Sequence, residues 1–284
     1  MELVVRVPGS CGELLQGWDE KGEPFLLTCP INRYASLTIC DDGKGERRLG
    51  EKGLRALQAV LDFLHLQAYP YSLYQTDRLP QGKGMASSSA DISAVIIGVA
   101  KSLGYSISTQ DVMTLAASIE PTDGVSCPGL CQLNYLTGTI GHIYPVVPAI
   151  RIALVDTGGT IDTLAFHRRH DMGKGPLSQG LEFLRHQPWS AVNLAKAATY
   201  SALANQAVLY KQDVPLLYER IAAMGALGLN VAHSGTVIGI LFPAAMPEAL
   251  IARQVRAALR QMETTAQYKD TVSLISGGST VTYR

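Results

Sequence analysis

The chain has 284 residues, enough at about 150 residues per domain for two domains and a hydrophobic core without disulfide or metal staples. Hydrophobic residues make up 47% and charged residues 17%, which excludes a disordered, collagenous or coiled-coil chain. The 24 Lys and Arg balance 24 Asp and Glu, so the basic excess of a nucleic-acid binder is absent.

The opening residues MELVVRVPGSCGELL lack a basic segment followed by a continuous apolar one, as a secretory leader requires. No apolar run reaches the roughly 18 residues of a membrane span, so a cytoplasmic protein without a membrane partner is expected. Cys11, Cys29, Cys40, Cys127 and Cys131 are scattered, with no second pair at zinc-finger spacing, and read as buried, inert thiols rather than metal ligands.

In chain order, Leu3–Val7, Phe25–Cys29, Tyr34–Cys40 and Tyr69–Gln75 read as strands bounded by Gly, Pro or Asp. Leu54, Leu57, Leu61 and Leu64 recur at helical spacing and predict a helix over about 53–65. Ile92, Val95, Ile96, Val99, Ala100 and Leu103 predict a second, closed by Gly104. A third begins at Ser108, whose hydroxyl can cap it with Asp111 three residues on. It ends near Ile119, because Pro121 disfavours helical geometry at Glu120. A β-rich stretch over about 131–156 follows, then mostly helix over 176–227, ended by Gly228. Val231 to Phe242 reads as a strand interrupted by glycine, 247–262 as a helix, and Thr271–Ile275 and Thr280–Tyr283 as closing strands. A boundary near 150–165 divides residues 1–155 from 156–284. The irregular mixing of strands and helices predicts an α+β protein of two packed lobes.

Three segments carry candidate chemistry. Leu79 to Asp91, LPQGKGMASSSAD, runs directly into the second helix. Gly82 and Gly84 permit close backbone approach, and Ser87, Ser88 and Ser89 stand where helix N–H groups have no internal partner. Such a helix end attracts anions, Lys83 adds positive charge beside it, and serine hydroxyls suit a phosphate oxygen or a magnesium ion. A glycine turn with a serine cap is the plain alternative, and GxxxxGK[ST] is absent. In Ser118 to Gly124, Glu120 and Asp123 could divide labour between a metal ion and a substrate hydroxyl, or could be solvated acids at a helix end. In Gly228 to Ile240, Ser234-Gly235 marks a close backbone approach, with His233 structural or functional. Gly9 and Gly12, after the first strand, suggest a tight turn.

Taken together, Pro80-x-x-x-Gly84-Met85-x-Ser87-Ser88-Ser89-Ala90 resembles the phosphate-binding loop of the GHMP kinases. Pro8-Gly9-x-x-Gly12-Glu13-Leu14 resembles their first motif, and Ala232-His233-Ser234-Gly235-Thr236-Val237-Ile238-Gly239 their third. The order and spacing fit from residue 8 to about 240. The strings SIEPTD and NVAHSG resemble the branch that phosphorylates L-threonine for the cobalamin nucleotide loop.

The resemblance implies a ribosomal protein S5 domain 2-like N-terminal lobe, a ferredoxin-like C-terminal lobe, and ATP, Mg²⁺ and L-threonine as ligands. By the same resemblance Pro80, Gly82, Lys83, Gly84, Met85, Ala86, Ser87, Ser88, Ser89 and Ala90 hold ATP. Ser88 and Glu120 hold magnesium, and Asp123 acts as base or orienting group. Ser10, Glu13, Thr122 and His233 are candidates for gripping the amino acid. Mevalonate-kinase-like members carry a lysine in the first motif where this chain has Ser10 and Cys11, so the base and positioning versions of Asp123 both stay open. Homoserine as substrate, and a non-catalytic sensor on the same scaffold, are the competing readings. The low charge is compatible with a homodimer.

Overall fold

The computed structural model describes residues 2–160, 180–184 and 189–284. β1, Glu2–Trp18, is a single strand of 17 residues. It pairs antiparallel with β2, Pro24–Cys40, along its whole length, with register shifts between Pro8/Gly9, Ser10/Glu13 and Glu13/Leu15. The first motif is therefore bulged strand, not the tight turn its glycines suggest. The bulges absorb extra residues and re-aim Ser10 and Glu13 while the ladder continues. The two short strands expected at Phe25–Cys29 and Tyr34–Cys40 are likewise one strand. Pro30 is tolerated inside it beside one of these irregularities, where it interrupts no regular ladder.

β3, Arg47–Arg48, has no sequence signal. α1, Glu51–Phe63, buries Ala56, Leu57, Val60 and Leu61. β4 is Ser72–Asp77. α2, Ser87–Ser102, begins directly on the serine run and is buried along most of its length. α3, Thr109–Ile119, starts where Ser108 Oγ accepts from the Asp111 N–H at 3.1 Å, the expected cap. These three helices cover one face of β1, β2 and β4 around Leu3, Val5, Leu37, Ile39 and Ile96.

β5, Leu130–Leu133, β6, Ile140–Tyr144, and β7, Ile150–Asp156, make up the β-rich stretch. The helical stretch contributes α4, Leu181–Leu184, α5, Ala191–Ala204, α6, Asp213–Tyr218, and α7, Ile221–Met224. Part of the range 176–227 lies outside the described residues. Gly225, not Gly228, takes the left-handed position that ends α7, at φ +70°. Gly228 instead opens β8, Gly228–Val231. The interruption expected in the next strand is a full turn before β9, Val237–Pro243. α8, Glu248–Arg260, β10, Gln267–Ser273, and β11, Thr280–Tyr283, complete the chain.

One curled sheet runs β10-β7-β9-β8-β1-β2-β4-β3, with β11 on β1 and β5-β6 on β2. β1 is where strands from the two halves of the chain meet, because it pairs with β2 and with both β8 and β11. α5 packs over its later half, and α8 covers β7 and β9 around Val255, Ile240 and Phe242. The cysteines are free, and all but Cys40 are buried. Among the described residues no helix is long and apolar enough to cross a membrane, and no three His, Cys, Asp or Glu cluster to hold a metal ion.

Candidate active site

The three glycine motifs meet backbone to backbone. Ser10 N–H donates to Met85 O at 3.0 Å and Gly12 N–H to Gly84 O at 3.1 Å. The N–H groups of Thr236 and Val237 both donate to Lys83 O at 3.0 Å. Gly84, at φ +80°, lies against Ala232 so closely that a Cβ on it would stand 2.2 Å from the Ala232 methyl. A Cβ at Gly12 would stand 2.4 Å from Ala232 N. Only glycine allows this approach, and that is the physical content of the motif spacing.

At the mouth of α2, Ala86 adopts the left-handed conformation at φ 55°, unusual for a residue with a Cβ, and no side chain caps the helix. The uncapped end leaves the first N–H groups of α2 without a side-chain partner, an arrangement suited to anions. The serine side chains diverge. Ser87 Oγ donates to Leu79 O at 3.1 Å and braces the loop. Ser88 Oγ accepts from Lys52 Nζ at 2.8 Å, and the same ammonium lies 2.5 Å from Glu120 Oε2. Ser89 Oγ donates to Asp123 Oδ2 at 3.0 Å and accepts from the Asp123 N–H.

Pro80, Gly82, Gly84, Met85, Ala86, Ser87, Ser88 and Ser89 line one pocket together with Glu13, Glu120, Thr122, Asp123 and His233. Lys83, Ala90 and Ser10 stand outside it. Lys83 Nζ lies 2.8 Å from Asp156 Oδ2 and donates to Gly159 O at 2.6 Å, so its charge is matched by an acid of the second half of the chain. Burial alone would raise the Asp156 carboxyl, yet the bonds from Lys83 and Thr236 hold it below the ordinary value. Ala90 N–H continues the helix to Ala86 O, and Ser10 Oγ reaches Gly84 O at 3.5 Å.

The pocket's free volume is about 70 Å³, far below the roughly 300–1,000 Å³ of sites for drug-sized ligands. It suits a compact ligand. Burial pushes both the Glu13 and Asp123 carboxyls up, and the neighbouring Asp123 charge raises Glu13 further. The hydrogen bond from Ser89 works against that rise at Asp123. His233 Nδ1 lies 2.6 Å from Gln16 Oε1, and its ring stands 5.3 Å from that of Tyr135. Thr122 Oγ1 is buried with no hydrogen-bond partner among the described residues.

A second cavity, of about 440 Å³, opens on the other side of Ser88 and Gly82, lined by Leu37, Leu49, Lys52, Gln75, Arg78 and Asp91 among others. Burial pushes the Asp91 carboxyl up to about 6. The two cavities share Gly82 and Ser88, so a ligand filling both would thread its middle past the mouth of α2.

Residues 53–130 match the model of the GHMP kinases N terminal domain. An L-threonine kinase of Citrobacter freundii is 32% identical over 253 residues, 84% of this chain and 85% of that one. The chain belongs to the GHMP kinases. An L-threonine kinase of Salmonella typhimurium is 30% identical over 254 residues, 84% of this GHMP kinase and 82% of the relative. Solved structures share the fold at low identity. Homoserine kinase from Cytophaga hutchinsonii gives a TM-score of 0.66 at 14% identity, covering 99% of this chain and 97% of that one. Lactococcus lactis galactokinase gives 0.68 at 11% identity, covering 98% and 95%. As a GHMP kinase the chain is a small-molecule kinase with the α+β GHMP kinase fold expected from its motifs.

The motifs carried no sign of four residues at this site. Lys52, Tyr135 and Gln16 lie in no glycine motif. Asp156 reaches Lys83 across 73 positions of sequence. The helix predicted over about 53–65 left Lys52 outside, whereas α1 begins at Glu51 and places Lys52 in its first turn.

Proposed function

We propose that this protein is an ATP- and magnesium-dependent kinase that phosphorylates the side-chain hydroxyl of L-threonine, giving O-phospho-L-threonine for assembly of the cobalamin nucleotide loop. The observation that carries this reading is the junction at Ser88. There an uncapped helix end separates a nucleoside-sized cavity from a small pocket containing buried carboxylates. The names of the relatives from Citrobacter freundii and Salmonella typhimurium support threonine as the acceptor.

The α2 N-terminus and the backbone from Gly82 to Ser89 receive the triphosphate. Ser88 Oγ and Glu120 Oε2 already converge on one cation, the Lys52 ammonium, so their oxygens fit a magnesium site completed by phosphate and water. A magnesium ion held by Ser88 and Glu120 would neutralise charge on the transferring phosphoryl group. Asp123, held by Ser89, accepts or orients the threonine hydroxyl, and its burial-raised proton affinity suits that role. Glu13 lies beside it for the ammonium group, with Thr122 and His233 on the same pocket wall. Phosphoryl transfer depends chiefly on alignment and charge, which this rigid backbone junction supplies.

ADP release is measured with Mg-ATP against L-threonine, D-threonine, L-serine, L-homoserine, mevalonate and galactose. L-threonine should dominate, with serine and homoserine far behind. Preferred turnover of homoserine would refute the acceptor assignment, and ATP binding without turnover of any acceptor would favour a sensor.

A further inference from the structure

Among its lining residues the acceptor pocket has the carboxyls of Glu13, Glu120 and Asp123 but no lysine or arginine. A triphosphate entering such a place needs positive charge from outside the lining. Lys83, the cation of the phosphate loop itself, is bound to Asp156 and Gly159. Lys52 is placed differently. It reaches from the first turn of α1 to the boundary between the two cavities, where its ammonium touches Ser88 Oγ and Glu120 Oε2. Its side chain is 39% exposed, whereas that of Glu120 is 3% exposed, so the ammonium opens toward the nucleoside cavity while its partner is buried. A lysine at a helix N-terminus gains nothing from the dipole, and that local cost points to a role beyond α1.

Resting on the kinase reading, we propose that Lys52 is a phosphate ligand of the transfer site. Its ammonium donates to a phosphate oxygen of the bound nucleotide, and yields Ser88 and Glu120 where magnesium takes those oxygens. Lys52 Nζ already stands 2.8 Å from Ser88 Oγ, so a phosphate oxygen bound by Ser88 on the side of the ammonium comes within its reach. α1 thereby joins the phosphate loop as part of the nucleotide site.

The test compares ATP and adenosine binding in EDTA, so that no metal ion contributes. ATP is followed by displacement of a fluorescent ATP analogue and adenosine by saturation-transfer NMR. Lys52→Met should weaken ATP binding about tenfold or more, the loss expected for a hydrogen bond between charged groups, and leave adenosine binding unchanged. Lys52→Arg should retain most of the ATP affinity. Unchanged ATP binding in Lys52→Met would overturn the proposal, and so would equal weakening of both ligands, which would make Lys52 merely structural. Should Lys52→Met fail to fold because Glu120 is left buried and unpaired, Lys52→Met/Glu120→Gln is compared with Glu120→Gln alone, with the same two outcomes. If the unaltered protein binds neither ATP nor adenosine, the kinase reading fails with the proposal. Normal binding by the unaltered protein together with an indifferent Lys52→Met variant would overturn the proposal alone.

Discussion

Replacing Gly84 with alanine introduces a methyl group where two motifs touch. Its ideal position is 2.2 Å from the Ala232 Cβ, 3.1 Å from Gly235 Cα and 3.5 Å from Ala232 Cα. No rotamer relieves such a contact, because both partners are backbone or Cβ atoms. Overpacking of this kind costs about 2 kcal/mol. Holding alanine at the φ of +80° adds about 1 kcal/mol. A total near 3 kcal/mol corresponds to a fall in melting temperature of roughly 6–9 °C for a chain of this size. Ala232→Gly removes the worst contact, so the double variant Gly84→Ala/Ala232→Gly should recover about 2 kcal/mol relative to the sum of the single changes. Urea denaturation of the four proteins measures that coupling. Additivity within about 0.5 kcal/mol would refute the steric reasoning and leave only backbone strain at Gly84.

Asp123→Asn should lower kcat by about two orders of magnitude or more with little change in KM for ATP; near-normal turnover would exclude proton transfer by Asp123 and leave pure positioning. Ser88→Ala and Glu120→Ala should each raise the magnesium concentration needed for half-maximal activity while circular dichroism stays unchanged, and unaltered metal dependence in both would remove them as ligands. Asp91 makes stability depend on pH. Its folded form holds the proton more tightly than the unfolded chain does, so it costs nothing below about pH 4 and progressively more as the pH rises through about 6. Asp91→Asn should therefore be more stable than the unaltered protein at pH 8, by up to about 3 kcal/mol, with the difference gone at pH 4. A gap of equal size at both pH values would point to packing rather than charge.

Much of the site was legible because its chemistry resides in short motifs with a mechanical need for glycine. The spacing Gly82, Gly84, Ser87–Ser89 foretold a helix opening on the serine run, and Ser108 with Asp111 foretold the start of α3. Glu120 and Asp123 read as a pair from their positions around Pro121, and the fold places both on the pocket wall. What escaped depended on distance along the chain. Whether Pro8–Gly12 turned or continued as strand was settled by pairing with β2, whose bulges accommodate the glycines. Gly225 and Gly228 are equally good helix stops in isolation, and it is the pairing of Gly228 with Leu241 that commits the second to a strand. Lys52 meets Ser88 across 36 residues, a contact no local pattern encodes.

The order of strands in the sheet bears on how the chain comes off the ribosome. Residues 3–6 of β1 pair with residues 280–283 of β11, and β7 takes β9 and β10 as its neighbours. β1 thus waits for β11, synthesised much later, and pairings of such long range form slowly. The phosphate loop is closed by N–H groups of Thr236 and Val237, so a nascent chain shorter than this has made the residues for nucleotide binding without the clamp that shapes them. Until then its apolar strands have only incomplete partners, and the interval between translating the phosphate loop and closing it is when the protein is most exposed to misassembly.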